Sequence, residues 1–363
     1  MSLVLSLLIM TSAWLQAGPD HVWEFPRDHH AHPEYRYEWW YVTGQMEEPP
    51  LGFQVTLFRL GLTPDRPVWN SDWATGDLVL GQVAVTDIQA GEHRFSEVLT
   101  RTGPGRGEFP APPDSVLAWC RAPAGTAGRW SVRRADDGSF AVTAGDREQG
   151  LLVDLRLVPI RPPVFQGPNG YSQKDSLAGT GSLYYSYTRL AASGLVAAGS
   201  DTFTTRGRAW LDREIFTSQL APHHGGWDWL SLQLDDGRDL MVFVLRDLDG
   251  LPGTARATVV SAGGVPQWLE APLDVLTPRR WWTSPVSGAR YPVAWRVSLP
   301  EAGLDLELSA LVDDQENVGL RSGVTYWEGA VEGAEGRGYV EMTGYTRQGA
   351  DADSFRSLRK MPD

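Results

Sequence analysis

A two-residue turn between two β-strands constrains the fold of this chain more than any other sequence feature. The segment Ser182–Ala198 and the segment that runs on to Gln219 both read as strands, and only Gly199-Ser200 separates them. A Gly-Ser pair between two such runs is typical of a tight β-hairpin. Both segments are therefore predicted to lie in one antiparallel sheet.

The same pattern recurs along the chain. Asp136-Asp137-Gly138 and Asp235-Asp236-Gly237 each separate two strand-like runs, and Glu47-Glu48-Pro49-Pro50 joins another pair. No convincing helical period appears in the first half. The 39 glycines, 25 prolines and 16 tryptophans among 363 residues suit many short strands and turns better than helices. We therefore predict an all-β protein.

The strands form two series, which favours two domains, and the chain is long enough for two cores. Pro, His and Gly cluster near residues 220–226, so we place the first domain at 22–222 and the second at 223–348. The polar tail 349–363 is predicted to fray. EWWYVTG at Glu38–Gly44 weakly resembles YVEMTGY at Tyr339–Tyr345, which suggests a duplicated β-barrel.

Residues 1–17, MSLVLSLLIMTSAWLQA, have the apolar length of a signal peptide and offer Ala13 and Ala17 as small residues for cleavage. No Lys or Arg precedes the apolar run, so an ordinary hydrophobic N-terminus is the alternative. The run is too short to predict a membrane span. We expect a secreted or periplasmic protein if the segment is a signal peptide, and a cytoplasmic one if it is not.

Charge and cysteine content exclude several classes of protein. A net charge of −13 argues against nucleic acid or an anionic membrane surface as a partner. Cys120 is the only cysteine, so neither an intrachain disulfide nor a cysteine-based metal site can form. His29, His30 and His32 lie in a loop without a carboxylate cluster, and His223-His224 is likewise a loop pair. We predict no metal.

Two carboxylates share one face of the second hairpin strand. Because side chains alternate along a strand, Asp212 and Glu214 point the same way as Trp210. The Gly199-Ser200 turn sets the register and places Tyr187 opposite Asp212 and Tyr185 opposite Glu214, with Cβ atoms about 4.5–5.5 Å apart. A β-bulge in either strand would break this register.

Other candidate binding residues lie on neighbouring strands. Glu38 and Trp40 share a face, and Glu38 is either a site carboxylate or a cross-strand partner for an arginine such as Arg59. The run from Gly226 to Met241 has one aromatic and polar face. The candidate substrate-binding residues are therefore Trp210, Trp40, Glu38, Trp227, Trp229 and Gln233.

The sequence contains no GxSxG, GxGxxG, Walker, HExxH or CxxC motif, so hydrolysis by a Ser or Cys nucleophile has no local signature. Several longer motifs, in order, instead resemble the carotenoid 1,2-hydratase and AttH-like superfamily over most of the chain. These are HPEYRYEWWYVTG (His32–Gly44), YYSYTRLAASG (Tyr184–Gly194), RAWLDREIFTSQL (Arg208–Leu220), GWDWLSLQLDDGRDLM (Gly226–Met241), YWEGAV and GYVEMTGY.

This resemblance implies two lipocalin-like β-barrel domains in tandem. The hydratase branch adds water across an isoprenoid double bond without a cofactor, fungal relatives are pericyclases acting on polyketide-derived substrates, and many bacterial members are labelled secreted hydrolases. The hydratase motif carries the proton-donor role to Asp212. Tyr185 and Tyr187 occupy positions where the hydratases have His and Trp, and this difference argues against carotenoid hydration itself.

Physical chemistry supports Asp212 as an acid. Enclosure by Trp210 and tyrosine rings would raise its pKa, and the charge of Glu214 would raise it further. A protonated carboxyl could then donate to an alkene or carbonyl, while aromatic faces stabilise the developing cation. The alternative is that both carboxylates pair with arginines or tyrosine hydroxyls for structural reasons.

We therefore predict a cofactor-independent acid–base enzyme acting on a hydrophobic, isoprenoid or polyketide-like molecule. Its cavity would lie in the first barrel or at the domain junction, with Asp212, Tyr187, Tyr185 and Glu214 as catalytic residues. A non-catalytic carrier of hydrophobic ligands and a secreted hydrolase are the alternatives. A protein that binds a hydrophobic ligand can work close to a membrane, so peripheral membrane proximity is a further possibility. The sequence does not indicate an oligomeric state.

Overall fold

A computed structural model describes residues 13–64, 71 and 73–346 of the chain. The described residues form 23 β-strands and three short 3-10 turns, at Arg27–His29, Pro168–Gly170 and Pro300–Ala302, without an α-helix. None of the helical segments in these ranges has the length and apolar character needed to cross a membrane. The predicted all-β class is confirmed. Residues 1–12 of the signal-like segment and the tail 349–363 lie outside the described residues.

The first sheet contains 13 antiparallel strands and curls into a nearly closed barrel. Its order is β4-β3-β2-β1-β13-β12-β9-β8-β7-β6-β5, and β10 and β11 pair with β12. Its interior packs apolar side chains that include Val42, Leu57, Trp130 and Leu211. The strands are β1 Tyr37–Met46, β2 Leu51–Gly61, β3 Asp77–Asp87, β4 Glu92–Arg101, β5 Gly107–Glu108, β6 Val116–Arg121, β7 Arg129–Arg134, β8 Phe140–Asp146, β9 Leu151–Pro159, β10 Val164–Phe165, β11 Tyr171–Gln173, β12 Gly181–Ala198 and β13 Asp201–Phe216.

The second sheet contains ten strands and encloses a separate core around Leu230, Val242, Trp295 and Trp327. Its order is β17-β16-β15-β14-β23-β22-β20-β19-β18, with β21 paired to β22. The strands are β14 His224–Leu234, β15 Asp239–Asp247, β16 Pro252–Val260, β17 Pro266–Glu270, β18 Leu276–Thr283, β19 Arg290–Leu299, β20 Leu304–Ala310, β21 Glu316–Val318, β22 Thr325–Gly333 and β23 Gly336–Met342.

The predicted turns are confirmed. Strand β12 ends at Ala198 and β13 begins at Asp201, and these two residues are paired across the turn. The turns at residues 47–50, 136–138 and 235–237 likewise separate β1 from β2, β7 from β8, and β14 from β15. The chain passes from the first sheet to the second between Phe216 and His224, in the Pro-, His- and Gly-rich stretch.

The two sheets pack against each other through their outer faces. Strands β1, β12 and β13 of the first sheet contribute one side of this junction, and β14, β15, β22 and β23 of the second contribute the other. Apolar and aromatic side chains fill it, among them Tyr41, Tyr184, Trp210, Trp229, Phe243 and Tyr339. Because strand side chains alternate, Trp210, Asp212 and Glu214 point into this junction while Leu211 points into the first barrel.

A β-bulge changes the predicted register of the central hairpin. Tyr187 pairs with Leu211 and Leu190 with Ala209, so Thr188 and Arg189 together occupy the space opposite one residue. The bulge lets both side chains reach the second domain, where Thr188 Oγ1 lies 2.7 Å and Arg189 Nη2 2.6 Å from the carboxylate of Asp239. The bulge thus coincides with a buried ion pair that joins β12 to the second domain.

The predicted opposition of Tyr187 to Asp212 and of Tyr185 to Glu214 is therefore wrong. The extra residue moves the pairing by one, so Ser186 lies opposite Asp212 and Tyr184 lies opposite Glu214. A shift of one residue moves each side chain to the other face of the sheet. Tyr185 and Tyr187 accordingly point into the first barrel.

Candidate functional site

A cleft at the junction of the two domains contains the buried acids of β13. Part of its space is open to solvent. A second depression adjoins it and shares Trp39, Phe58 and Trp227 as wall residues. Aromatic side chains, including Trp39, Tyr41, Phe58, Tyr184, Trp229 and Phe243, share the walls with acids, amides and hydroxyls. Such a lining is typical of a site for an apolar small molecule that is oriented by a few polar groups.

Asp212 lies in the wall of this cleft and is 3% exposed. Its Oδ1 accepts hydrogen bonds from Ser186 Oγ at 2.5 Å and from Trp210 Nε1 at 2.6 Å. Its Oδ2 accepts one from the Tyr184 hydroxyl at 2.5 Å. Burial raises the pKa of Asp212 to about 7. The three hydrogen bonds lower this pKa and the charge of Glu214 raises it, but burial is the largest effect. Near neutral pH this carboxyl can both hold and release a proton.

Tyr184 links Asp212 to the second domain. Its hydroxyl accepts a hydrogen bond from Trp229 Nε1 at 3.2 Å and donates to Asp212. Burial and the nearby carboxylates raise the pKa of Tyr184 well above its usual range, so the phenol stays protonated. The acid is therefore oriented by groups from both domains.

Glu214 lies on the same strand face and contacts a buried lysine. Lys174 Nζ is 3.6 Å from Glu214 Oε1 and 3.9 Å from the centre of the Phe243 ring. Burial raises the pKa of Glu214 although Lys174 opposes the shift, and burial lowers the pKa of Lys174. Gln219 Nε2 donates to the other carboxylate oxygen of Glu214 at 2.6 Å.

The second domain contributes two more acids to the cleft, Glu328 on β22 and Glu341 on β23. The Tyr41 hydroxyl donates to Glu328 Oε1 at 2.5 Å. Burial raises the pKa of Glu341 to about 8; a hydrogen bond from Trp227 opposes this rise and the charges of β13 reinforce it. Burial and Glu341 raise the pKa of Glu328 well above its usual range. The cleft thus gathers four acids and one lysine among aromatic rings.

Comparison with known proteins places this architecture in a family. The AttH-like family model matches residues 16–345, nearly the whole chain. The chain belongs to the AttH-like family. None of the curated proteins compared with the chain matches it.

Two solved structures resemble this AttH-like protein. The crystal structure of a protein assigned to AttH from Nitrosomonas europaea is 32% identical with a TM-score of 0.77, and the match covers 91% of this chain and 99% of that one. Kievitone hydratase from Nectria haematococca is 15% identical with a TM-score of 0.63, and the match covers 92% of this chain and 96% of that one. The second similarity shows a shared fold.

Of the predicted site residues, the structure brings Asp212, Glu214, Trp227 and Trp229 together as walls of the cleft. Trp210 adjoins them through its hydrogen bond to Asp212. Gln233 does not reach the cleft, because its amide donates to the backbone carbonyls of Thr188 and Ala209 at 2.8 and 3.0 Å. It joins the two domains beside the bulge.

Tyr185, Tyr187 and Trp40 are not in the cleft, because all three point into the first barrel. The hydroxyl of Tyr185 contacts His29 Nδ1 at 2.7 Å, and Trp40 Nε1 donates to the backbone carbonyl of His29 at 2.8 Å. These residues form an aromatic group on the opposite face of the sheet from Asp212.

Glu38 also lies inside the first barrel, where it pairs with arginines as the cross-strand alternative predicts. It lies directly opposite Arg59, and Arg59 Nε approaches Glu38 Oε1 to 2.5 Å. Arg213 binds the other carboxylate oxygen and lies 4.0 Å over the ring of Trp40. Burial opposes ionisation of Glu38, but the two arginines hold its pKa well below its usual range.

Sequence reasoning did not single out Lys174, Tyr184, Ser186, Glu328 or Glu341. For the two glutamates a signal existed. Each is the only charged residue in one of the motifs YWEGAV and GYVEMTGY, among apolar or neutral neighbours. A buried acid among apolar residues lowers stability unless it is paired with another group or has a functional role. Each of these glutamates could therefore have been proposed as a site residue.

One group in the described part of the chain has spacing compatible with a metal ion, formed by Asp175, His223 and His224. The two imidazoles place Nε2 3.0 and 3.4 Å from Asp175 Oδ2. However, His224 Nδ1 accepts a hydrogen bond from the backbone N–H of Ala221, which puts the proton of a neutral ring on Nε2. A metal-bound imidazole uses the reverse arrangement. The arrangement favours hydrogen bonding to Asp175, and the absence of a metal stays a prediction.

Proposed function

We propose that this protein is a hydratase-type acid–base enzyme that adds water to a hydrophobic small molecule in the cleft between its domains, without a cofactor. The observation that carries the proposal is the Asp212 carboxyl. It is buried, lies in an aromatic wall, and has a pKa of about 7. A general acid works best when its pKa lies near the working pH.

The geometry supports protonation of an alkene by Asp212. The carboxyl proton passes to one alkene carbon, and the neighbouring carbon becomes a cation that the faces of Tyr41 and Trp229 stabilise. The hydroxyls of Tyr184 and Ser186 remain hydrogen-bonded to the carboxylate that forms, at 2.5 Å each. A water molecule then adds to the cation and loses a proton.

Two further points support the proposal. The cleft walls combine aromatic rings with acids, amides and hydroxyls, as expected for an isoprenoid or aromatic substrate that also carries polar groups. Kievitone hydratase, whose name describes the same class of reaction, shares the fold. Kievitone is therefore a rational first probe.

A screen of prenylated phenols and acyclic isoprenoids in oxygen-18 water, read by mass spectrometry, tests this function. We expect a product that has gained one labelled water. Asp212→Asn should lower the rate by about 10²–10⁴-fold. Asp201→Asn, an exposed acid on the same strand, should leave the rate unchanged.

Quenching of the cleft tryptophans measures binding separately. Asp212→Asn should still bind the probe, because the aromatic walls are intact. Binding without water gain by the wild-type protein would indicate a carrier, and full activity of Asp212→Asn would exclude the proposed acid.

A further inference from the structure

Glu328 and Glu341 form a directly opposed pair of acids on the second domain. They are cross-strand partners on β22 and β23, and both face the cleft. Glu328 Oε1 accepts the hydroxyl of Tyr41, and the Glu328 carboxyl also interacts with the hydroxyl of Tyr326, which donates to Gln82 Oε1 at 3.0 Å. Because that phenol has only one proton to donate, a protonated Glu328 can donate to the Tyr326 oxygen, and a second carboxyl nearby favours this protonation.

The surroundings of this pair favour a shared proton. Directly opposed side chains in an antiparallel sheet have Cβ atoms about 4.5–5.5 Å apart, so two full negative charges would repel strongly. Among the described residues that line the cleft, Lys174 is the only cation, and it is paired with Glu214. The titratable groups around the pair are Tyr41, Tyr184, Asp212, Glu214, Tyr326, Tyr339 and Lys174.

The pair and Asp212 approach the same space from different domains. Tyr41 lies opposite Asp212 in the pairing of β1 with β13, and its hydroxyl reaches across the junction to Glu328. The charges of Asp212 and Glu214 also raise the pKa of Glu341. A substrate in the cleft therefore has one acid group on the wall of the first domain and another on the wall of the second.

We propose that the Glu328–Glu341 pair is the second acid–base group of the site, with Glu341 taking the proton from the water that adds to the substrate. The proposal rests on the hydration function given above. Asp212 gives its proton to one alkene carbon, and the oxygen of water bonds to the neighbouring carbon. The excess proton of that water passes to the Glu341 carboxylate. Return of this proton to Asp212 through water in the cleft completes the cycle, so atoms and charges balance.

The pH dependence follows from the two carboxyls. Glu328, whose pKa is raised well above its usual range, keeps its proton throughout. Below a pH of about 7 Asp212 and Glu341 are both protonated and no base is available, whereas above about 8 both are ionised and no acid is available. Between these values Asp212 and Glu341 hold one proton between them, and the reaction proceeds when that proton is on Asp212. The rate should therefore fall on both sides of this range.

Glu341→Gln tests the proposal with the substrate found in the oxygen-18 screen. We expect the rate to fall by about 10²-fold or more and the acidic limb of the pH profile to disappear, because the residual reaction needs only protonated Asp212. Asp212→Asn should lose the alkaline limb instead. Glu332→Gln, an exposed acid on the same strand as Glu328, should keep both limbs and the rate.

An infrared pH titration of the protein without substrate gives a second readout. The carbonyl band of a protonated carboxyl should disappear near pH 8 in the wild type, and Glu341→Gln should remove that step. A Glu341→Gln enzyme that retains both limbs would overturn the second acid–base group while leaving Asp212 as the acid. A Glu341→Gln protein that adds no water but keeps the infrared step near pH 8 would also overturn it. If the wild type adds no water to any probe, the hydration function fails first.

Discussion

Replacing Tyr184 by Phe should raise the pKa of Asp212. The mutation removes a hydroxyl that donates to Asp212 Oδ2 at 2.5 Å and leaves the aromatic ring in place. A hydrogen bond to a charged acceptor contributes about 1.5–3 kcal/mol, and one pKa unit corresponds to about 1.4 kcal/mol. Loss of the bond should therefore raise the pKa of Asp212 from about 7 to about 8–9.

Infrared titration can measure this change, with the Asp212 carbonyl band assigned by its loss in Asp212→Asn. Tyr187→Phe is the matched control, because Tyr187 is opposite Leu211 and points into the first barrel. It should leave the pKa of Asp212 unchanged. If Tyr187→Phe raised this pKa and Tyr184→Phe did not, the bulge and the register derived from it would be refuted.

Two further predictions concern stability. The folded-state pKa of Asp212, about 7, lies above its usual value of 3.8, so the folded protein binds more protons between these values and loses stability as pH rises through them. In the wild type, this titration should lower the free energy of unfolding by about 4 kcal/mol between pH 4 and pH 8. Urea unfolding of Asp212→Asn should show that this contribution is lost. If the pH dependence of stability were the same in both proteins, Asp212 would not be the buried acid described here. Glu38→Gln should destabilise the protein by about 3–5 kcal/mol, because it leaves Arg59 and Arg213 buried with less compensation, whereas the exposed Glu47→Gln should change stability by less than about 0.5 kcal/mol in the same assay.

The bulge in β12 depends on a residue that is distant in the sequence. The Gly199-Ser200 turn correctly pairs Ala198 with Asp201, and the pairing continues to Leu190. It then shifts at Thr188 and Arg189, whose side chains bind Asp239, about 50 residues further along the chain. No local pattern in β12 indicates that partner. Because of this bulge, Tyr184 and not the predicted Tyr187 is the tyrosine next to Asp212.

The sequence by itself determined the elements and the face that carries the acids. Turn residues act over four positions and strand side chains alternate with a period of two, so the hairpins and the grouping of Trp210, Asp212 and Glu214 follow from neighbouring residues. It also offered the Glu38–Arg59 pair as one of two alternatives for Glu38, and the first hairpin does place these residues opposite each other.

Only the tertiary structure decided which groups surround Asp212. The packing of one barrel's outer face on the other brings Glu328 and Glu341 to the cleft, more than 100 residues away in the chain, and places Lys174 beside Glu214. Burial by both domains, and not the composition of β13, raises the pKa of Asp212 to about 7. Such desolvation depends on atoms from distant segments, so it has no signature in any single stretch of the sequence.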